Sequence, residues 1–312
     1  MNVNRRRFLK TTVMSAAALA APGTLESIAQ TGGAAPKKTA GGGGRTELID
    51  TNVHLGHWPF RHLKYGTTPA LVAKLKRHGI TQAWAGTFDG LFSKDLSGAN
   101  ARLVEECRKH GDGFLLPFGS VNPAWPGWEE DLRRCHEVHR MRGIRLHPSY
   151  QNFTLDDPQF AKLLEQATTR GLLVQIALEL EDSRVHHPII RAPSVSPIPL
   201  AAVLQKLPAA RVQLLDGSFA WQRTPQARLL LELPNLVYDI SNLEGVGAVG
   251  RLIEGKHWNL AGKVPIERLL FGSHAPYFPV EATLLRMFES PFTREQMQTI
   301  MAANARRILG QI

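Results

Sequence analysis

The feature that most constrains the fold is an alternation of short apolar, β-branched runs with amphipathic stretches of helical length. This alternation is typical of a parallel sheet built from strand and helix units. The predicted strands are residues 48–54, 80–88, 114–121, 143–147, 172–180, 212–216, 236–240 and 269–272. The predicted helices are residues 68–78, 101–109, 128–139, 158–169, 200–207, 225–233, 246–254 and 280–288. Eight such pairs predict a single-domain α/β fold, a (β/α)₈ TIM barrel, with an extra C-terminal helix over residues 293–309.

The N-terminal residues have the features of an export signal. The run 4–10, Asn-Arg-Arg-Arg-Phe-Leu-Lys, resembles a twin-arginine signal, and the apolar run 13–21 after it is too short to span a bilayer. The small residues Ser27 and Ala29 suit a signal peptidase. We therefore expect a signal peptide over 1–29, a Gly-rich tether over 30–45 and the barrel over 46–312, with a periplasmic or secreted protein as the result. An uncleaved membrane anchor is the alternative.

Charge and cysteine content limit the classes of partner. The chain of 312 residues has a formal net charge of +10, part of which belongs to the basic residues of the leader. The remaining Lys and Arg are scattered among acidic residues, so we expect no nucleic-acid partner. No run of membrane-spanning length occurs after the leader. Cys107 and Cys135 each fall in a predicted helix, which favours buried thiols over a disulfide, although a bridge between neighbouring helices stays open.

Polar residues follow most of the predicted strands at their carboxyl ends. In a TIM barrel these ends form the active site, so such residues are the candidates for chemistry. They are Asn52, His54, Asp89, Asn122, His147, Glu179, Asp182, Arg184, Asp216, Ser241, Asn242 and His274. Single members could instead cap helices or bind backbone groups. The set as a whole indicates a site.

Four motifs in order resemble those of amidohydrolase-related proteins of the amidohydrolase superfamily. Residues 50–54, Asp-Thr-Asn-Val-His, are similar to the family's first-strand Asp-x-His-x-His, with Asn52 in place of the first histidine. Residues 143–148 resemble the fourth-strand Gly-x-x-x-His-Pro, residues 270–276 the eighth-strand Phe-Gly-Thr-Asp-x-Pro, and residues 304–309 a closing Asn-Ala-x-x-Leu. The resemblance implies a hydrolase or decarboxylase barrel with a divalent metal and a small-molecule substrate. Barrels of this family often form homo-oligomers through their outer helices.

The chain departs from the family's metal ligands at several positions. Where the family has two first-strand histidines, a fifth-strand histidine, a sixth-strand histidine and an eighth-strand aspartate, this chain has Asn52 and His54, Ala177, Asp216 and His274. Asp216 and His274 look like an aspartate and a histidine exchanged across the barrel mouth.

Three interpretations follow from this residue set. In the first, His54, Asp216 and His274, with Asn52 as a weak ligand, hold a divalent metal such as zinc that activates water against an ester, lactone or amide. His147, Asp216 or Glu179 then moves protons. In the second, the same groups act without metal, as the resemblance to pyrone-dicarboxylate lactonases implies. In the third, the barrel binds a ligand without catalysis.

Substrate contacts are expected from polar and cationic residues near the strand ends. The candidates are Arg145, Arg184, Asn122 and Ser241. The guanidinium groups of Arg145 and Arg184 would orient a carboxylated substrate. The loop over residues 56–62, which contains aromatic, cationic and imidazole groups, either lines the site or packs as an ordinary loop.

Overall fold

Eight parallel strands in chain order form the sheet. The computed structural model of the chain describes residues 47–216, 224–257 and 262–310. The predicted signal peptide and the predicted tether lie outside these residues. The strands are β1 (Ile49–Leu55), β2 (Gln82–Thr87), β3 (Leu115–Ser120), β4 (Gly143–Leu146), β5 (Leu173–Ala177), β6 (Arg211–Leu215), β7 (Leu236–Asp239) and β8 (Leu269–Leu270). Each predicted strand is present, and its ends differ from the prediction by a few residues at most.

Helices separate the strands, as the alternation predicted. They are α1 (Thr68–Arg77), α2 (Asp89–Phe92), α3 (Leu96–Gly111), α4 (Trp128–Arg133), α5 (Pro148–Gln151), α6 (Pro158–Thr169), α7 (Leu200–Lys206), α8 (Pro225–Glu232), α9 (Ala248–Glu254), α10 (Val280–Phe288), α11 (Arg294–Gln298) and α12 (Asn304–Leu309). A π-helical turn extends α4 over Arg134–Val138, and short 3₁₀ turns cover Ser183–Val185 and Ile266–Arg268. No helix in the described ranges is long and apolar enough to cross a membrane.

The barrel closes where β8 returns to β1. The amide of Thr51 donates to the carbonyl of Phe271 over 2.9 Å, and the amide of His54 donates to the carbonyl of Ala275 over 2.8 Å. An isolated parallel bridge joins Val53 to Ala275. The eight strands therefore form a nearly closed TIM barrel, and the predicted fold class is confirmed.

Apolar side chains fill the amino-terminal end of the barrel interior. Ile49, Trp84, Phe118, Leu173, Val237 and Leu270 form one buried cluster with Ala302, Ala305, Ile308 and Leu309 from the C-terminal helical segment. That segment is the predicted extra helix. It starts at a capping box in which the Thr293 hydroxyl and the Gln296 side chain bind each other's backbone amides, and a π-helical turn, Thr299–Ala303, interrupts it. The helix thus covers the end of the barrel opposite the carboxyl ends of the strands.

A second, larger core lies between the strands and the outer helices. Strand residues such as Val53, Ile144 and Val174 share one buried cluster with helix residues such as Leu71 and Leu163. Cys107 and Cys135 are buried in the same cluster as free thiols, which confirms the preference for thiols over a disulfide.

Candidate active site

An irregularity in β1 directs both motif residues into the barrel. The pairing of β1 with β2 shifts register between Asp50 and Val53. Without the shift, residues of one parity would point inward along the whole strand. Here Thr51 binds interior glutamines, Val53 joins the outer core, and Asn52 and His54 are buried on the interior side. The bulge therefore brings Asn52 and His54 to the site.

Asn52 lies at the centre of a buried polar cluster that joins β1, β6, β7 and β8. Its Nδ2 donates to Asp216 Oδ1 over 2.5 Å and to Asp239 Oδ2 over 2.7 Å. Asp216 Oδ1 is also 2.7 Å from His274 Nδ1 and accepts from the Ser241 hydroxyl over 3.0 Å. All five side chains are nearly inaccessible to solvent. The aspartate and histidine that look exchanged in the sequence are thus in direct contact, and we call these five residues the acid cluster.

The backbone makes room for the acid cluster. A Cβ on Gly272 would lie 2.8 Å from Asp239 Oδ2 and 3.1 Å from the Asn52 Cβ, so only glycine allows this approach. Asp216 and His274 have φ angles of 52° and 58°, in the left-handed region that non-glycine residues seldom adopt. Strain of this kind is concentrated at functional sites.

Hydrogen bonding favours the cationic form of His274. Its Nε2 is 2.8 Å from the Leu180 carbonyl, which can only accept, and its Nδ1 faces the Asp216 carboxylate. Burial alone would lower the pKa of His274, but the charge and hydrogen bond of Asp216, with the Leu180 carbonyl and Asp239, outweigh it and raise the pKa above its usual value. The two acceptors therefore favour a proton on each ring nitrogen.

Asp239 is a carboxyl group that titrates near neutrality. Burial, followed by the charge of neighbouring Asp216, raises its pKa to about 7. The hydrogen bonds from Asn52 and Ser241 act in the opposite direction without cancelling the effect. A group with such a pKa can take up and release a proton at physiological pH.

Two neutral imidazoles line the site beside the acid cluster. Burial and the charge of Arg145 hold the pKa of His54 well below its usual value, and burial lowers that of His147 to about 3. His54 stacks on Phe88 with ring centroids 5.1 Å apart, and it lies 5.8 Å from the His147 ring. Among the described residues, His54 Nδ1 and both nitrogens of His147 have no hydrogen-bond partner. Buried polar atoms of this kind are expected to meet water or a ligand.

The two histidines among the predicted metal ligands do not fit a divalent cation in this arrangement. His54 Nε2 is 3.3 Å from Arg145 Nη1, which can only donate, so the proton of the neutral ring resides on Nδ1. Both nitrogens of His274 face oxygen acceptors, the Leu180 carbonyl and the Asp216 carboxylate, whereas Asn52 Oδ1 and Asp216 Oδ2 are buried without a partner among the described residues. A metal needs a lone pair from a ring nitrogen of each histidine, and here those nitrogens are engaged in other contacts or, at His54 Nδ1, hold the proton. Within residues 47–216, 224–257 and 262–310, no group of three or more His, Cys, Asp or Glu is arranged to hold a metal ion.

Arg145 lies below the site, in a polar layer of the barrel interior. Its five N–H groups find acceptors in Gln175 Oε1, His54 Nε2 and the backbone carbonyls of Thr51, Val53 and Trp84. Gly86 leaves space for the guanidinium, since a Cβ there would be 2.8 Å from Arg145 Cδ. This network occupies the donors that the sequence assigned to a substrate carboxylate. The geometry therefore gives Arg145 a role in positioning β1 and His54.

Three other predicted residues form their hydrogen bonds away from the acid cluster. Arg184 is exposed and ion-paired with Asp182 on the surface, so its guanidinium is already occupied in solvent. Glu179 is half-buried and accepts from the Ser194 hydroxyl over 3.1 Å. The amide group of Asn122 binds the Gln151 carbonyl and the Ala124 amide and so shapes the loop after β3.

Sequence reasoning missed Asp239 and Glu181. Asp239 interrupts the apolar run Leu-Val-Tyr-Asp-Ile, and an acidic residue inside a buried strand was the signal that could have found it. Glu181 lies in the loop after β5, where its side chain is buried and 3.2 Å from Arg61 Nε. No periodicity in a loop marks such a residue.

The fold and the acid cluster define a TIM-barrel protein whose polar site occupies the carboxyl ends of its strands, where enzymes of this fold have their active sites. The chain belongs to the Amidohydrolase family, whose model matches residues 49–311. The resemblance inferred from the four motifs is confirmed. No curated protein matches the chain.

Solved structures with the same fold include decarboxylases. A 2,6-dihydroxybenzoate decarboxylase from Rhizobium is 15% identical, with a TM-score of 0.64 over 85% of this chain and 99% of that chain. An uncharacterised TIM-barrel protein from Bordetella bronchiseptica is 17% identical, with a TM-score of 0.65 over the same shares. A dihydroxybenzoic acid decarboxylase from Polaromonas, with bound manganese and the inhibitor 2-nitroresorcinol, is 15% identical, with a TM-score of 0.64 over 85% and 97%.

Membership of this family supports the prediction that the chain is an enzyme, either a hydrolase or a lyase. A divalent metal is present in a structural neighbour, and that metal is manganese. The prediction that the metal of this chain is zinc has no support from these structural neighbours.

Proposed function

We propose that the barrel is a metal-independent acid–base hydrolase of an ester or lactone bond in a small carboxylated molecule. The observation that supports this most is the state of Asp216. Its Oδ1 is held by Asn52, His274 and Ser241, while its Oδ2 is buried without a hydrogen-bond partner in the described residues. A fixed carboxylate with one open oxygen is suited to orient a water and accept its proton.

The other members of the site supply what ester hydrolysis needs. Water adds to the carbonyl carbon, its proton moves to Asp216, and the carbonyl oxygen becomes an oxyanion. The Nδ1–H of His54 and an N–H of His147 are unpaired donors that can bind this oxyanion. Asp239, which titrates near neutrality and touches Ser241, can provide the proton that the leaving oxygen takes when the ester bond breaks.

His274 acts in this proposal as a fixed positive charge. Both of its ring protons are engaged, by Asp216 and by the Leu180 carbonyl, so it holds the carboxylate in place and does not exchange protons with substrate. This division of roles corresponds to the second interpretation of the sequence. The proposed reaction requires no metal ion.

The test is turnover by metal-free protein. Full-length chain is treated with chelator, checked by elemental analysis and assayed against a panel of small lactones and carboxylated esters. Turnover should survive metal removal, and Asp216→Asn should reduce kcat by about 10²-fold or more, as the loss of a general base does. Arg184→Gln, which removes an exposed charge, is the matched control and should leave turnover unchanged.

A manganese-dependent decarboxylase is the second candidate, because a solved neighbour of that kind has bound manganese. Metal binding would require His54 or His274 to give up one of its present contacts, so that a ring nitrogen could bind the ion. If chelation abolishes activity and manganese restores it, or if carbon dioxide is the product, this candidate replaces the metal-independent hydrolase.

A further inference from the structure

Unpaired polar atoms also occur above the acid cluster, at the barrel mouth. Trp58 Nε1, Tyr150 Oη, Tyr277 Oη and Glu181 Oε2 are buried and have no hydrogen-bond partner among the described residues. The rings are neighbours, since the Trp58 centroid is 5.2 Å from that of Tyr277 and 6.4 Å from that of Tyr150. With Arg61 these residues form what we call the mouth cluster. Buried donors and acceptors without partners indicate a place for water or a polar ligand.

Arg61 is anchored within the mouth cluster by one edge of its guanidinium. Its Nε is 3.2 Å from Glu181 Oε1, and its Cζ lies 5.1 Å from the centroid of the Tyr277 ring. The Arg61 side chain is 45% exposed and that of Glu181 only 3%. In the described parts of the chain, the Nη1 and Nη2 groups have no hydrogen-bond acceptor. The pair therefore presents an oriented fork with its outer edge open.

The mouth cluster is one aromatic ring away from the acid cluster. The Tyr277 ring that contacts Arg61 also stacks on His274, with centroids 4.9 Å apart and planes inclined by 17°. A small molecule whose reacting carbonyl lies near Asp216 would thus extend toward Arg61.

The balance of donors and charges indicates an anion. Three of the four unpaired atoms belong to groups that donate, the indole N–H and the two phenol O–H groups. Glu181, the one acidic member, already has a cation in Arg61. A cationic ligand would compete with Arg61 for Glu181, whereas a carboxylate would satisfy the open donors.

We propose that the mouth cluster is the carboxylate subsite of this enzyme, in which Arg61 and the hydroxyls of Tyr150 and Tyr277 bind a substrate carboxylate. Glu181 is a positioning residue that fixes the direction of the Arg61 fork. This assignment replaces Arg145, whose donors are used inside the barrel, and Arg184, which is paired on the surface. It rests on the proposed function only in placing the substrate at this barrel mouth.

Binding of benzoate and of its uncharged isostere benzamide to the full-length chain, measured by calorimetry, tests the subsite. Wild-type protein should prefer benzoate. Arg61→Gln should weaken benzoate binding by about tenfold or more while leaving benzamide within about twofold, because only the carboxylate uses the fork. Arg61→Lys keeps the charge but loses the bidentate geometry. Its affinity for benzoate should fall between that of wild type and that of Arg61→Gln.

Two further variants keep the result unambiguous. Arg184→Gln removes the same charge from an exposed pair and should bind benzoate as wild type does. The double variant Arg61→Gln with Glu181→Gln removes both charges, so that no buried carboxylate is left unpaired, and it should still lose benzoate preference. Equal benzoate affinity in wild type and in both Arg61→Gln proteins, or no preference of wild type for benzoate, overturns the subsite.

The outcomes separate the subsite from the proposed reaction. If Asp216→Asn abolishes hydrolysis while Arg61→Gln leaves benzoate binding intact, only the subsite is wrong. If Arg61→Gln weakens benzoate binding while Asp216→Asn retains turnover, only the proposed reaction is wrong.

Discussion

Replacement of Asp239 by Asn should change how the stability of this barrel depends on pH. The pKa of Asp239 is raised from 3.8 to about 7 by burial and by the charge of Asp216, so the folded protein binds its proton more tightly than the unfolded chain does. The stabilisation from this proton is complete below about pH 4 and is lost as pH rises through about 7. At about 1.4 kcal/mol for each pKa unit, the loss is on the order of 4 kcal/mol.

Asn has the same shape and no charge to titrate. Its oxygen can still accept from Asn52 Nδ2, but its amide group would face the Asp216 N–H, which now donates to Asp239 Oδ1 over 3.2 Å. The variant should therefore lose roughly 1 kcal/mol at every pH from that bond. Relative to wild type, it should gain stability between pH 4 and pH 8.

Urea unfolding of both proteins at a series of pH values measures this difference. The difference in unfolding free energy between variant and wild type removes the contribution of Asp50, whose pKa burial raises to about 6, because Asp50 titrates in both proteins. What is left reports Asp239 together with its effect on neighbouring Asp216 and His274. A difference that stays flat from pH 4 to pH 8 would refute the reasoning, since it would mean that Asp239 is ionised throughout.

Two more perturbations test the interior of the barrel. Arg145→Met should lower the unfolding free energy by about 3 kcal/mol or more in urea denaturation, because buried carbonyls of Val53 and Trp84 lose donors. The control Arg184→Met, at an exposed ion pair, should change it by less than about 0.5 kcal/mol in the same assay. Burial raises the pKa of the Cys107 and Cys135 thiols to about 12, so both should react with a chromogenic disulfide reagent only after unfolding. Rapid labelling of the native protein would contradict their burial.

The barrel could be predicted from the sequence because its signal is repeated. Eight apolar runs and their intervening helices each follow a period that local sterics enforce, so errors are confined to element ends. The C-terminal segment illustrates this, since its start at Thr293 was predicted from the sequence, whereas its π-helical turn was not.

The site was less predictable because it depends on the direction of individual side chains. Arg145 lies inside β4 and points into the barrel, whereas His147, two residues later, lies just after the strand end. Spacing alone does not tell which of the two supports the barrel interior and which lines the site. The bulge in β1 reverses the parity that would place Asn52 and His54. Arg61 and Glu181 meet across two loops, and no local pattern predicts that contact.

The presence of Asn52 in place of a motif histidine is best explained together with Asp216 after β6 and His274 after β8, which look like an aspartate and a histidine exchanged. An amide Nδ2 has two hydrogens, and here one is directed to Asp216 and the other to Asp239. A histidine at this position could direct only one ring N–H into the same space, and in its charged form it would add a second cation beside His274. With Asp216 directly after β6 and His274 in the segment after β8, the two carboxylates need a neutral group with two donors between them. The residue that replaces a family metal ligand is therefore the one that lets a pair of carboxylates share the barrel mouth, and the acid–base hydrolysis that we propose depends on this pair.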